Sequence, residues 1–212
     1  MGYAQEVLSP DFISLDYIAA LPGESLKTYA RRFLQSLVEN GTWDPKKEIV
    51  LIGISFGGAI AQEIASQTKV KSLILLGSLR SGRELRLGIH FFAKYLSQLI
   101  PIWVYDTSIQ FLEPVMGKVS GLSHKDVVLC QVMYDDVSKE FFRAALKMLA
   151  EWPGVECTVL TLRIHGEDDH IIPLHKTSGV DVVVKDAKHL VGLAQREIVN
   201  DAINKFLNQT SH

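Results

Sequence analysis

A single serine in a glycine-rich turn is the clearest candidate for chemistry in this sequence. Residues 53–57 read Gly-Ile-Ser-Phe-Gly, with Ser55 at the centre. Residues 48–52 enter the turn as an apolar, β-branched run, and residues 58–65 leave it with a small-residue helical pattern. A strand, a sharp turn and a helix together hold a serine hydroxyl clear of a sheet, where it can attack a substrate. We therefore predict that Ser55 is a nucleophile.

The residues around Ser55 have predicted roles of their own. Gly53, Gly57 and Gly58 are expected where a side chain would clash with neighbouring backbone in so tight a turn. The backbone N–H of Phe56, which follows the serine, is expected to point at the position where an oxyanion would form. The alternative interpretation is an ordinary serine in a strand-to-helix turn.

A serine hydroxyl is a weak nucleophile until a base removes its proton, and that base is usually a histidine oriented by a carboxylate. An acidic loop at residues 165–173 follows a predicted strand and offers Asp168 and Asp169 as candidate carboxylates. His189 is the one histidine placed after the last predicted strand and before the last predicted helix. We predict His189 as the base, and the residues alone leave both aspartates open.

The elements that would position these side chains alternate between strands and helices. Strands are predicted near residues 12–16, 48–52, 70–77, 158–164 and 180–184, and helices near 24–40, 58–65 and 192–208. This alternation favours an α/β fold with a doubly wound, mostly parallel sheet. Such sheets bind ligands beyond the carboxyl ends of their strands, where the serine turn and the loops after residues 164 and 184 should meet.

Residues 81–152 differ from the rest, because their pattern is helical without a convincing strand. Helices are expected at 83–99, 107–117, 123–135 and 138–150. We expect residues 1–80 and 153–212 to form the core and residues 81–152 to form a helical cap. The aromatic and Met side chains of the cap are interpreted mainly as packing: Phe91, Phe92, Tyr95, Trp103, Tyr105, Phe111, Met116 and Tyr134. The basic side chains of the cap and of the residue just before it are interpreted mainly as solvated, with carboxylate recognition as the alternative: Arg80, Arg83, Arg86 and Lys94.

Composition narrows the function classes. The 212 residues are 47% hydrophobic and 22% charged, with a formal net charge of −2, which is typical of a globular domain and makes nucleic acid an unexpected partner. Cys130 and Cys157 lie far apart, in no metal-ligand spacing, and favour a reducing compartment. No apolar run reaches the length of a membrane span, and residues 1–6 lack the pattern of a signal peptide. We expect a cytoplasmic protein with a small-molecule substrate and no metal or organic cofactor. No feature indicates its oligomeric state.

With these motifs in place, the chain resembles the α/β-hydrolase superfamily. The resemblance rests on the serine turn with Gly58, on residues 164–173, and on the Lys-His-Leu of residues 188–190, in the order Ser, Asp, His. It implies that the carboxylate is Asp169, the fifth residue of the loop pattern, rather than Asp168. It also implies that His165 is a structural histidine, and that residues 81–152 are a helical cap.

The resemblance departs from the family's pattern at the N-terminus. It implies a central strand before residues 12–16, followed by a glycine loop that supplies a second oxyanion N–H. Met1 and Gly2 stand where the tail of that loop would be, so they are candidate donors. We expect the N-terminal strands to be reduced or missing. Either further residues precede this sequence, or the segment at 12–16 shifts into the gap.

The expected activity is a serine hydrolase acting on a small to medium ester, thioester or amide through an acyl-enzyme. Two alternatives stay open. The first is a non-catalytic, hydrolase-like protein that binds a ligand or another protein. The second is an acyltransferase that uses the same triad.

Overall fold

Among the residues that the structure describes, four parallel strands form one sheet. The computed structural model describes residues 12–105 and 137–210. The strands are β1 (Val50–Ile54), β2 (Ser72–Leu76), β3 (Thr161–Gly166) and β4 (Val182–Val184), and they lie side by side in the order of the sequence. Because all four run in one direction, their carboxyl ends come together at one edge of the sheet.

Helices cover both faces of this sheet. They are α1 (Leu26–Glu39), α2 (Phe56–Gln67), α3 (Leu87–Phe91), α4 (Lys139–Glu151), α5 (Val191–Ala194) and α6 (Arg196–Gln209). Helix α3 continues into a π-helical turn, Phe92–Leu96, and single 3₁₀ turns lie at Gly82–Glu84 and Leu174–Lys176. Within the described ranges, no helix is long and apolar enough to cross a bilayer.

Alternating side chains of the strands divide the core into two clusters. Leu51 and Leu73 face a cluster built from α1, α2 and α4, while Ile74 and Ile164 face a cluster that includes α6. Burial of both strand faces explains why the strands read as continuous apolar runs, as expected for a parallel sheet between helices. The predicted doubly wound α/β architecture is confirmed.

The helix after the serine turn and the helix at 24–40 form as predicted. Ser25 begins α1 with a capping box, in which its hydroxyl accepts from the Thr28 N–H while the Thr28 hydroxyl accepts from the Ser25 N–H. The apolar positions that predicted this helix are buried: Leu26, Tyr29, Ala30, Phe33 and Leu37.

Three predictions need correction. Residues 12–16 form no strand, because an alternating pattern becomes a strand only with a pairing partner, and among the described residues β1 pairs with β2 alone. The last helix is split into α5 and α6. The helix predicted at 83–99 consists instead of a 3₁₀ turn, α3 and the π-helical turn. The predicted helices at 107–117 and 123–135 lie outside the described residues.

Residues 82–105, called the outer segment below, leave the sheet edge after β2. Gly82 and Leu85 pack inward against the core, and the π-helical turn packs on α4. Helix α4 itself packs on α1 and α2.

Candidate active site

The turn between β1 and α2 holds Ser55 in a strained backbone conformation. Its φ is 50° and its ψ is −117°, a region that costs a residue with a side chain about 1–3 kcal/mol. Hydrogen bonds fix the turn on both sides of Ser55. Its N–H donates to the Leu76 carbonyl at 3.1 Å, and its carbonyl accepts from the Gly58 N–H at 3.0 Å. The Ser78 hydroxyl donates to the same carbonyl at 2.8 Å.

The glycines predicted around Ser55 differ in how tightly they are enclosed. A Cβ on Gly53 would lie 2.4 Å from the Gly58 Cα, and a Cβ on Gly58 would lie 2.2 Å from the Ser78 hydroxyl oxygen. A side chain on Gly53 would therefore require the backbone of the turn to move, and one on Gly58 would require Ser78 to move. A Cβ on Gly57 would meet only the Tyr17 hydroxyl, at 3.2 Å, so Gly57 is the least constrained of the three.

Asp169 is fixed in the loop that follows β3. One carboxylate oxygen, Oδ1, accepts from the N–H groups of Ile171 and Ile172, each at 2.8 Å. The other, Oδ2, lies 2.8 Å from Nδ1 of His189. Burial acts to raise the pKa of Asp169, but the hydrogen bond and the charge of His189, together with the Ile172 N–H, outweigh it and hold that pKa below its usual value. Asp169 is therefore an ionised acceptor at neutral pH.

His189 lies between Asp169 and Ser55. Because an ionised carboxylate can only accept, the Nδ1 of His189 carries the proton that it donates to Asp169. Its Nε2 is then left with a lone pair, and it lies 2.9 Å from the Ser55 hydroxyl oxygen, which can donate to it. The three side chains form one chain of hydrogen bonds in which a proton can move from Ser55 to His189.

Two glycines at the strand ends make room for the backbone that carries His189. A Cβ on Gly77, directly after β2, would lie 2.4 Å from the His189 carbonyl oxygen. A Cβ on Gly166, at the end of β3, would lie 2.4 Å from the carbonyl oxygens of Ala187 and Lys188. Gly77 also has a φ of +51°, which a side chain would strain. The loop therefore rests directly on the sheet edge.

Of the other residues considered from the sequence, Asp168 and His165 lie outside the hydrogen-bonded chain of Ser55, His189 and Asp169. Asp168 is exposed, and its backbone N–H donates to the Ala187 carbonyl at 2.9 Å. His165 is buried, and its Nε2 donates to the Ile172 carbonyl at 2.8 Å, which supports the Asp169 loop. Phe56 begins α2, and its ring packs against Tyr17, Tyr29 and Phe141. Met1 and Gly2, the predicted second oxyanion donors, lie outside the described residues.

Arg163 and Ser78 were missed by the sequence reasoning. Arg163 is 3% exposed and donates to the Ser78 carbonyl at 3.1 Å and to the Ser178 carbonyl, while its own N–H donates to Asp181 at 2.7 Å. Burial lowers the pKa of Arg163, although nearby Glu84 favours the charged form. Through Ser78, this arginine supports the carbonyl of Ser55. A glycine directly after a buried strand could have indicated Gly77, but no local signal marks Ser78 or Arg163.

Among the described cap side chains, Tyr105 packs as predicted, whereas four others do not. Tyr105 is buried, and its hydroxyl donates to the Ser97 carbonyl at 2.9 Å. Phe91, Tyr95 and Trp103 are 52%, 53% and 66% exposed, and Phe92 is also exposed. Phe111, Met116 and Tyr134 lie outside the described residues. In the ranges 12–105 and 137–210, no group of three or more His, Cys, Asp or Glu side chains could hold a metal ion.

Solved structures share this fold at low sequence identity. A thermophilic esterase from Thermogutta terrifontis superposes with a TM-score of 0.66 and 21% identity, covering 91% of this chain and 75% of that chain. An esterase from Exiguobacterium antarcticum gives a TM-score of 0.62 at 17% identity, covering 87% of this chain and 74% of that one. The meta-cleavage product hydrolase CumD from Pseudomonas fluorescens IP01 gives 0.62 at 15% identity, with coverages of 88% and 73%.

A family model matches a larger part of the chain than any of these superpositions covers. No curated protein matches the chain at a significant level. The model of the alpha/beta hydrolase family matches residues 3–202, a range that includes Ser55, Asp169 and His189. This chain belongs to the alpha/beta hydrolase family.

Proposed function

We propose that this protein is a serine hydrolase that cleaves a small to medium ester, thioester or amide through an acyl-enzyme. One observation carries the proposal: Ser55, His189 and Asp169 are linked by hydrogen bonds of 2.9 and 2.8 Å at the carboxyl edge of the sheet. Membership of a hydrolase family and the fold shared with esterases are consistent with it.

The reaction would begin with Ser55. Its oxygen attacks the substrate carbonyl carbon while its proton moves to Nε2 of His189, and Asp169 stabilises the resulting imidazolium. The carbonyl π electrons move to the carbonyl oxygen, and the Phe56 N–H, in the first turn of α2, stabilises the oxyanion. Collapse of this intermediate breaks the bond to the leaving group, which takes the proton from His189.

The second half of the reaction would return the enzyme to its starting state. His189 takes a proton from water, and the hydroxide oxygen attacks the acyl carbon. Collapse of the second tetrahedral intermediate breaks the Ser55 ester, releases the carboxylic acid and returns the proton to the serine oxygen. An alcohol in place of water would make the same acyl-enzyme a transferase intermediate, so hydrolysis and transfer differ only in the acceptor.

A fluorophosphonate probe tests the proposal, because it reacts with a serine only where a base activates it. We expect labelling of the wild-type chain, mapped to the peptide that contains Ser55, and no labelling of Ser55→Ala. We also expect His189→Ala to reduce labelling and p-nitrophenyl ester hydrolysis by about 10³-fold or more. A matched control is His175→Ala, which alters a histidine outside this hydrogen-bonded chain. If Ser55→Ala labels as well as wild type, another residue reacts and Ser55 is not the nucleophile. If the wild-type chain does not label, the proposal is wrong and a non-catalytic binding role is favoured.

A further inference from the structure

The outer segment has the reverse of the usual arrangement of a surface helix. Between residues 87 and 99, its most deeply buried residues are small: Ala93 and Ser97 are 1% and 0% exposed, beside the partly buried Ile89. The Ser97 hydroxyl donates to the Ala93 carbonyl, and Gln98 donates to the Arg143 carbonyl of α4. A helix on a globular core normally turns its large apolar residues inward. Here, between residues 87 and 99, the two buried positions are occupied by the small residues Ala93 and Ser97.

Leu85 and Tyr105 of this segment are buried, but six large apolar side chains between residues 87 and 99 are exposed. We call them the outer face: Leu87, Phe91, Phe92, Tyr95, Leu96 and Leu99. Four of these lie at intervals of four residues, and Leu87 and Leu99 are 76% and 77% exposed. The π-helical turn at Phe92–Leu96 widens the helix in the middle of this row, which keeps residues four apart on one side. Single exposed apolar residues are ordinary, but a continuous row of them indicates a binding surface.

The charges around the outer face are mainly positive. Residues 80–105 contain four Lys and Arg residues and one acidic residue, Glu84. Glu84 is buried, accepts from the Arg80 N–H and lies 3.7 Å from Arg163, so it does not offset the exposed charge. Arg83 and Arg86 are exposed, and Lys94 lies over the Tyr95 ring, 5.3 Å from its centroid. Helix α4, which packs beneath, adds three basic and two acidic residues. The protein as a whole has a net charge of −2, so this positive region is local.

Apolar and aromatic residues bordered by Arg and Lys match the interface of an anionic membrane. Such a helix lies in the plane of the bilayer surface with its apolar side among the acyl chains and its basic side chains near the headgroups. A second copy of the chain fits less well, because a two-fold interface would bring Arg83, Arg86 and Lys94 of both copies together. We propose that the outer face docks the protein reversibly on anionic lipid surfaces.

This placement would orient the candidate active site. The outer segment starts at the end of β2, at the same edge of the sheet as Ser55. Docking through the outer face would bring that edge close to the lipid surface, where esters of acyl chains are found. This consequence rests on the proposed hydrolase function, whereas the docking itself does not.

Vesicle co-sedimentation tests the docking. The full chain carrying Ser55→Ala is mixed with vesicles of phosphatidylcholine alone, or with one third phosphatidylglycerol, so that no substrate is consumed. We expect binding to the anionic vesicles that is at least about tenfold stronger than to the neutral ones. Binding should weaken with added salt, because salt screens the attraction between charges.

Variants distinguish the contribution of the apolar side chains to vesicle binding from that of the basic side chains. Phe91→Ser and Leu99→Ser should each weaken binding by about tenfold, since each removes a large side chain from the lipid contact. Arg86→Gln combined with Lys94→Gln should remove most of the preference for anionic vesicles. The matched control is Ile198→Ser, which alters a residue 48% exposed on α6, on the opposite face of the sheet, and should bind as the parent does. A thermal melt of each variant establishes that it is folded.

Three outcomes would overturn the proposal. The first is no binding to either kind of vesicle. The second is binding that Ile198→Ser weakens as much as Phe91→Ser does. The third is a dimer in sedimentation velocity that Phe91→Ser dissociates, which would make a second copy the occupant. Fluorophosphonate labelling of the wild-type chain is independent of all three, so a failure of docking is distinguishable from a failure of the proposed hydrolase.

Discussion

The carboxyl edge of the sheet is tightly packed, whereas the outer segment carries large exposed side chains. At the edge, Gly77 and Gly166 lie so close to the His189 loop that an added Cβ would be 2.4 Å from a carbonyl oxygen. On the outer segment, a Cβ on Gly88 would meet nothing within 4 Å, and the largest side chains point outward. Among the described residues, many short contacts fix the edge, while the segment packs on the core through its inner side. Substitutions of the same chemical kind should therefore have opposite consequences in the two regions.

The largest effect is expected from neighbouring aspartates at the sheet edge. Asp169→Asn should reduce kcat/KM for p-nitrophenyl esters by about 10³-fold or more, because an amide no longer selects the tautomer that leaves Nε2 of His189 free to accept. Asp168→Asn should change kcat/KM less than twofold, since this side chain is exposed. Steady-state kinetics of the two variants makes the comparison. The reverse result would show that the carboxylate was assigned to the wrong aspartate.

The next largest effect is expected from substitution of Gly77 at the sheet edge, which is compared below with substitution of Gly88 on the outer segment. Gly77→Ala should lower the free energy of unfolding by about 2 kcal/mol or more, through its positive φ and the clash with the His189 carbonyl. It should also lower kcat by at least about tenfold, because His189 must move. Urea unfolding and ester kinetics measure the two quantities. Full activity in a stable Gly77→Ala variant would mean that the loop does not depend on this contact.

A smaller effect concerns the pH dependence of stability. Burial lowers the pKa of His165, against the opposing influence of the Ile172 carbonyl and Asp169, with His189 and Arg163 lowering it further. Below a pH of about 6.5, His165 binds a proton in the unfolded chain but not in the native protein. The free energy of unfolding therefore falls as the pH falls. This contribution is fully present above that pH.

The measurement is urea unfolding of wild type and His165→Gln between about pH 8 and pH 5.5. Over this range the carboxylate of Asp169, whose pKa is lowered, does not titrate. We expect the difference in stability between the two proteins to shrink with acidification, since glutamine keeps a donor for the Ile172 carbonyl but cannot be protonated. A difference that is constant with pH would contradict the prediction.

The smallest effect is expected on the outer segment. Gly88→Ala should raise the free energy of unfolding by up to about 1 kcal/mol, because alanine favours the helical conformation and the added methyl group has room. Thermal melts of Gly88→Ala and wild type provide the measurement. A loss of stability comparable to that of Gly77→Ala would remove the contrast between the two regions.

The sequence predicted what depends on local pattern. The turn at Ser55 is visible because its strand, glycines and helix are adjacent in the chain, and the four strands of the sheet were each expected close to their observed positions. His189 and the acidic loop were found from their order relative to predicted strands. That the two lie close together in the fold could be predicted because the carboxyl ends of parallel strands lie at one edge of a sheet.

What the sequence did not predict depends on contacts between distant residues. Residues 12–16 alternate like a strand, but pairing requires a neighbour that the pattern itself does not contain. Ser78, in the loop after β2, and Arg163, on β3, support the serine turn through contacts that exist only in the folded protein. The outward direction of Phe91 and Tyr95 was missed because aromatic residues are usually buried.

The hydrogen bond between His189 and Ser55 joins residues that are 134 positions apart. The pairing of β1 with β2 requires a much shorter loop, and long-range contacts are entropically the most costly to close. The strained serine turn can therefore form early in folding, whereas the hydrogen bond to the base must wait until β2, β3 and the loop at 187–189 have come together. Regain of the proposed ester hydrolysis during refolding would then report the last stage of assembly, after most of the secondary structure has returned.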